Sequence, residues 1–259
     1  MIDRAATIRD ESDRFAAALA DVQPDAAVPT CPGWTARDLL QHLVQVHQFW
    51  AAVIGERLEG EAVGAFESSQ PALPSETEQL LRLRAEATQA LVAALSQRDA
   101  AETAWSWFDS DQTVGFTWRM QTHEATMHRV DAELTAGLPI SPIAADVAAE
   151  GVDHIVDVMW NWTPNDAERR VTATIKLVAS DTGQEWLIDV HRWTGEAWGR
   201  RFTDQPGGMR SVGGHPTATV TGTAAALDLL LWNRLQGVEA SGDEQALSEL
   251  DALLAVGVQ

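Results

Sequence analysis

The chain has 259 residues, 45% of them hydrophobic, enough for one large core or two modest ones. Eighteen Lys and Arg stand against 38 Asp and Glu, a formal charge of -20, so the average surface repels phosphate backbones and anionic lipid and disfavours a nucleic-acid or membrane-surface role. The single cysteine, Cys31, excludes an internal disulfide framework and a cysteine-rich zinc site.

No apolar run approaches the ~20 residues of a membrane-spanning helix, and the polar, acidic start MIDRAATIRDESDRF is unlike a signal peptide, so a cytoplasmic location is expected. Lys176 is the only lysine, which leaves arginine to build any site for an anionic ligand.

In chain order, Ile8, Phe15, Ala16 and Leu19 recur at helical spacing and predict a first helix over 3–20, ending before Pro24. Residues 28–35 read as a punctuated turn. Thr35 and Asp38 form a capping-box pattern, and Leu39, Leu43, Val46, Trp50 and Val53 then share one face of a helix running from Ala36 to about Leu58. Residues 59–74, rich in Gly, Ser and Pro, read as a loop. Ser75 and Glu78 suggest a second capping box, opening a helix that runs to about Gln97. A fourth helix is predicted from about Phe116 to Ala136, closed by Gly137 with Pro139 beyond. Four long helices in the first 140 or so residues imply a bundle.

Composition changes after one more helical stretch, 143–160. Alternating runs at 171–179, 185–193, 196–202 and 217–221 predict strands, separated by turn signals at 181–183, 194–195, 206–208 and 213–214. A small antiparallel sheet fits better than a parallel unit, and two helices near 223–236 and 243–255 close the chain. The expected fold is therefore an all-α four-helix bundle over 1–142 followed by an α+β domain over 143–259.

Chemistry concentrates on the histidines, at 42, 47, 123, 128, 154, 191 and 215. Glu124 and His128 are four residues apart on the fourth helix, one turn apart on one face, so both can reach one ion. His123 sits about 100° round that helix and is left out. A single imidazole from the second helix, His42 or His47, would complete three ligands with an open position, the arrangement of a catalytic zinc. Spacing does not choose between the two, and nickel, iron or manganese stay open as metals. Asp131, three residues past His128, can accept its second imidazole N–H. The plainer reading of a Glu-x-x-x-His pair is a weak side-chain contact on a solvated helix.

Other candidates read mainly as structure. Arg129 lies about 100° round from His128 and suits a solvated or interhelical contact more than substrate binding, and Arg200 and Arg201 face opposite ways on a strand and read as surface residues. Trp34 reads as a staple at a helix start, Cys31 as a small core or turn residue rather than a thiol near the site, and Trp50, Trp105, Trp107 and Trp118 as core aromatics or the lining of a pocket over the metal.

The stretches Pro32–Leu43 (PGWTARDLLQHL) and Trp118–Glu133 (WRMQTHEATMHRVDAE) resemble the mycothiol-dependent maleylpyruvate isomerase family, within the larger DinB-like group of metal-binding four-helix bundles. The resemblance spans nearly the whole chain and implies His42, rather than His47, as ligand beside Glu124 and His128. It also implies a divalent metal, most simply Zn2+, mycothiol as cosubstrate, and attack by its thiolate on an electrophilic small molecule, in cis-trans isomerisation or S-transfer. Arg234 resembles an arginine that the family places at its domain junction and is a candidate for binding substrate or thiol, with a salt bridge as the plainer reading. No nucleic-acid or membrane partner is expected, and no oligomeric state is implied. The alternative is a non-catalytic metal- or ligand-binding regulatory protein on the same scaffold.

Overall fold

In the computed structural model the described residues are 2–160, 163–234 and 237–257. The chain divides into two compact units, Met1–Ser141 and Pro142–Gln259.

The first unit is helical. Helix α1 (Arg4–Leu19) is capped by the Asp3 carboxylate and buries Ile8, Phe15 and Leu19. Helix α2 (Ala36–Gly55) opens on the expected capping box: Thr35 Oγ1 accepts from Asp38 N while the Asp38 carboxylate accepts from Thr35 N. Residues 59–74, expected as a loop, contain helix α3 (Glu61–Ser69). Only Val63 of this helix is buried, so it has almost no apolar stripe for a periodicity search to find.

Helix α4 (Thr77–Ser96) starts without the expected second box; Glu76 is its N-cap, and no side chain caps it. Helix α5 (Val114–Thr135) is capped by Thr113 and ends in a Schellman motif. Gly137, at φ +67°, donates to Leu134 O and Leu138 donates to Glu133 O. Helix α2 packs on α4 and α1 on α5, which closes a four-helix bundle with α3 beside α2.

The second unit is α+β. Helix α6 (Ala145–His154) runs into a single π-helical turn, Ile155–Met159. Strands β1 (Glu168–Ala179), β2 (Glu185–Ala197), β3 (Arg200–Arg210), β4 (Ala218–Gly222) and β5 (Glu239–Gly242) form one sheet in the order β3-β2-β1-β4-β5. All pairs are antiparallel except β1 with β4. Helices α7 (Ala224–Leu231) and α8 (Glu244–Leu254) pack on the sheet, and burial alternates along β1 with Ala173, Ile175, Leu177 and Ala179 inward.

Three expectations fail here for local reasons. Gly195 was expected in a turn but lies inside β2 at a bulge, so β2 runs on to Ala197 and the hairpin turns at Trp198-Gly199, both at positive φ. Pro206-Gly207-Gly208, a turn signal in sequence, lies within β3. Proline is tolerated there because β3 is an edge strand. The glycines are required by packing: a Cβ on Gly208 would sit 2.5 Å from Trp160 Cε3 and 2.7 Å from Leu253 Cδ2, and one on Gly207 would sit 2.5 Å from His191 Nε2. Finally, α7 stops at Leu231 in a Schellman motif with Asn233 at φ +58°, Asn233 donating to Leu230 O and Arg234 to Leu229 O. Residues 235 and 236, expected to complete that helix, lie outside the described residues.

Gly208→Ala should therefore destabilise the protein by about 1–3 kcal/mol, since the ring of Trp160 has to move off the strand. Gly64→Ala, on exposed α3 with nothing within 4 Å of the new methyl, should be neutral or stabilising by about 0.5–1 kcal/mol. Urea denaturation of both variants against the parent checks the pair; a loss at Gly64 would argue against helix there.

Candidate metal centre

The turn before α2 sets the geometry. In Cys31-Pro32-Gly33-Trp34, Trp34 donates to Cys31 O at 3.0 Å with Gly33 at φ +86°, a type II turn with proline and glycine in their favoured places. The turn leaves Thr30 and Cys31 against α5 and brings the indole of Trp34 to 4.9 Å from the His42 ring and 6.3 Å from that of His128. Trp34 also packs on the bundle core, as a staple would. Its place beside two imidazoles was not legible, because that depends on how the turn meets a helix about 90 residues later.

Helix α2 supplies His42, and α5 supplies Glu124 and His128 on one face. One donor atom from each lies within 4.8 Å of the other two, the one such group of His, Cys, Asp and Glu among the described residues. Glu124 Oε1 accepts from His42 Nε2 at 2.8 Å and lies 3.2 Å from His128 Nε2. Behind His128, Asp131 is fully buried. Its Oδ2 accepts from His128 Nδ1 at 2.9 Å and from Cys31 Sγ at 3.6 Å, while Oδ1 accepts from Thr30 Oγ1 at 2.6 Å. An ionised carboxylate has no proton to give, so Nδ1 carries the hydrogen and Nε2 is the atom turned to Glu124.

The electrostatics follow from this packing. Burial disfavours the His128 cation, but the charges of Glu124 and Asp131 and their hydrogen bonds outweigh it and push the imidazole up to about 9. Burial likewise acts to raise Glu124, yet the His128 charge and the hydrogen bonds from both imidazoles hold its carboxyl well below the usual carboxylate range.

The structure brings His42, not His47, to this pair. His47 is fully buried and donates from Nδ1 to Thr88 Oγ1 at 2.9 Å, since the Thr88 hydroxyl hydrogen goes to Arg84 O. Burial pushes it down to about 3. His123 is buried too and is not in the cluster. Of the two contacts expected of it, solvated or interhelical, Arg129 makes the interhelical one: it is buried between Glu11 of α1 and Glu133 of α5 and also donates to Ser141 O. Arg201 pairs with Glu196 and Arg200 lies over Phe202, both on the surface. Arg234, past the end of α7 rather than in it, donates to Trp232 O at 2.6 Å within the second unit, and no role in the metal centre follows from that contact.

A cavity of about 360 Å³ opens beside His42, between α2 and the segment through α3 that follows it. Trp50 lines it, packed against Trp105 at 5.7 Å, whereas Trp107 packs on Phe116 and Trp118 borders a different groove with Ile2 and Arg4.

His47 has a consequence for acid stability. An unfolded histidine titrates near 6.5 and this one near 3 in the fold, so the unfolded chain binds the extra proton between those values. The contribution is complete above about pH 6.5 and is lost as pH falls toward about 3. His47→Leu should therefore lose less stability than the parent between pH 6.5 and 4 in urea titrations; equal slopes would show that His47 is already solvated.

None of the curated proteins compared with the chain matches it. Among solved structures, the mycothiol-dependent maleylpyruvate isomerase superposes with a TM-score of 0.60 and its histidine-to-alanine mutant with 0.62; each is 14% identical, with 93% of either chain covered. The likeness extends across the helical unit and the α+β unit. The family model for the mycothiol maleylpyruvate isomerase N-terminal domain matches residues 5–133, and that for the corresponding C-terminal domain matches residues 146–249. By these matches, which cover most of both units, the chain belongs to the mycothiol-dependent maleylpyruvate isomerase family of enzymes.

Proposed function

We propose that His42 Nε2, Glu124 Oε1 and His128 Nε2 hold a divalent ion, zinc in the first instance, and that the protein uses mycothiol there against an electrophilic small molecule. The observation that carries this reading is the convergence of the three donors with a buried carboxylate behind one of them. Two imidazoles and one carboxylate suit zinc and leave room for a further ligand. The Asp131–His128 hydrogen bond is the support such a ligand needs, fixing the ring and its tautomer.

A divalent ion in this set supplies Lewis acidity, favouring the thiolate form of a thiol at neutral pH. The chain's own residues do the rest. Asp131, itself held by Thr30 and Cys31, keeps the His128 ring oriented with Nε2 toward Glu124. Trp34 lies beside both imidazoles and gives the centre an apolar wall on that side. The cavity beside His42 receives the electrophile.

The reaction needs no oxidant or reductant. The sulfur adds to one alkene carbon of an unsaturated carbonyl compound, and the electron pair moves to the carbonyl oxygen as an enolate. Rotation about the former double bond and return of the pair expels the same thiolate and yields the trans isomer. If a proton is delivered to carbon instead, the sulfur stays and the outcome is S-transfer.

Elemental analysis of untreated protein should find about one equivalent of divalent metal, and mycothiol should shift the visible spectrum of the cobalt-substituted form. His42→Ala and His128→Ala should abolish loading, while His47→Ala and His123→Ala keep it in the folded fraction; equal losses at all four sink the ligand set. Asp131→Asn should weaken metal affinity roughly 10–100-fold with the ligands intact, read by chelator competition. Metal-free protein with unchanged stability would favour a regulatory role instead.

A further inference from the structure

The cavity beside His42 differs in charge from what a dicarboxylate needs. Its apolar wall includes Phe49, Trp50 and Leu73, and beside the His42 imidazole its polar groups are the amides of Gln45, Gln48 and Gln70 and the carboxylate of Glu67. Among the described residues, neither arginine nor lysine lines it. Six arginines of the helical unit are held in ion pairs away from it: Arg84 with Asp13, Arg98 and Arg57 with Glu102, Arg82 with Glu78, Arg119 with Asp111, and Arg129 with Glu11 and Glu133. A chain of net charge -20 adds a field that lowers the local concentration of anions.

These observations concern the electrophile, and the inference rests on the thiol-dependent reading of the site. We propose that the electrophile is an uncharged molecule with an apolar body and hydrogen-bonding carbonyl, ester or amide groups, not a dianion of the maleylpyruvate kind. A dianion beside Glu67 would meet like charge, while a divalent ion held by His42, Glu124 and His128 would have its charge offset by Glu124 and a bound thiolate, a mismatch that disfavours binding. An uncharged carbonyl compound has no such cost. Each glutamine offers two N–H donors and an oxygen acceptor, which suits ester or amide groups in either orientation. The indole and phenyl faces of Trp50 and Phe49 provide apolar contact for a conjugated body. At about 360 Å³ the cavity lies toward the small end of ligand pockets, which limits the electrophile to a compact molecule.

The test uses full-length, metal-loaded protein with mycothiol and a matched pair, dimethyl maleate and maleate, each rate divided by that of mycothiol alone to remove intrinsic reactivity. The enhancement for the diester should exceed that for the dianion at least tenfold. Glu67→Arg should raise kcat/KM for the dianion relative to the diester several-fold. Equal or greater enhancement of the dianion in the parent protein overturns the proposal while leaving the thiol chemistry in place. Acceleration of neither also overturns it, and titration of the cobalt form with mycothiol alone then shows whether the thiol site falls with it.

Discussion

The candidate metal centre depends on one buried carboxylate. Asp131 is removed from water, and a charge so placed is tolerated only with its lone pairs occupied. Thr30, Cys31 and His128 occupy them. Two of these partners come from the turn before α2 and the third from α5, so the same bonds that satisfy the charge fix the turn on the bundle. The capping box then starts α2 from a fixed point, and His42 follows two turns later. Stability of the fold and aim of the imidazoles are thus one requirement.

Helix α5 shows what such a centre asks of its scaffold. Most of its residues are buried, yet the buried set includes Thr117, Gln121, Thr122, Thr126, His128, Arg129, Asp131 and Glu133. In such a helix the burial of Phe116, Met120, Met127 and Val130 is joined by polar groups that depend on partners inside. The Thr122 and Thr126 hydroxyls return to carbonyls one turn back, and Arg129 binds carboxylates on two helices. Removing one member of that ion cluster would leave an uncompensated buried charge, so the contact of α1 with α5 depends on the whole set.

What the sequence made legible follows the physics of each signal. Helices with a wide apolar stripe or a strong cap, α1, α2 and α5, stand out because local periodicity and capping are written in consecutive residues. Helix α3, with one buried residue, does not, although it helps enclose the cavity beside His42. The glycines at 207 and 208 mislead for a related reason: they answer to Trp160, Leu253 and His191 packed on the strand, a demand that no local pattern records. The Glu124–His128 pair is legible because helix pitch alone brings the two together. The choice of His42 over His47 is not, since both sit at the edge of one stripe and only the packing of α2 on its neighbours separates a ligand-like imidazole from one bonded to Thr88.

Cys31 gains a meaning from its surroundings. It is the sole sulfhydryl of the chain, 2% exposed, with its hydrogen directed at the Asp131 carboxylate. A sulfur so enclosed is neither a ready nucleophile nor an easy target. For a protein proposed to handle a small thiol, this means that an oxidised pool of that thiol finds no accessible partner on the polypeptide for a mixed disulfide. With its one sulfhydryl enclosed, the polypeptide itself is not capped as the redox state of its surroundings swings.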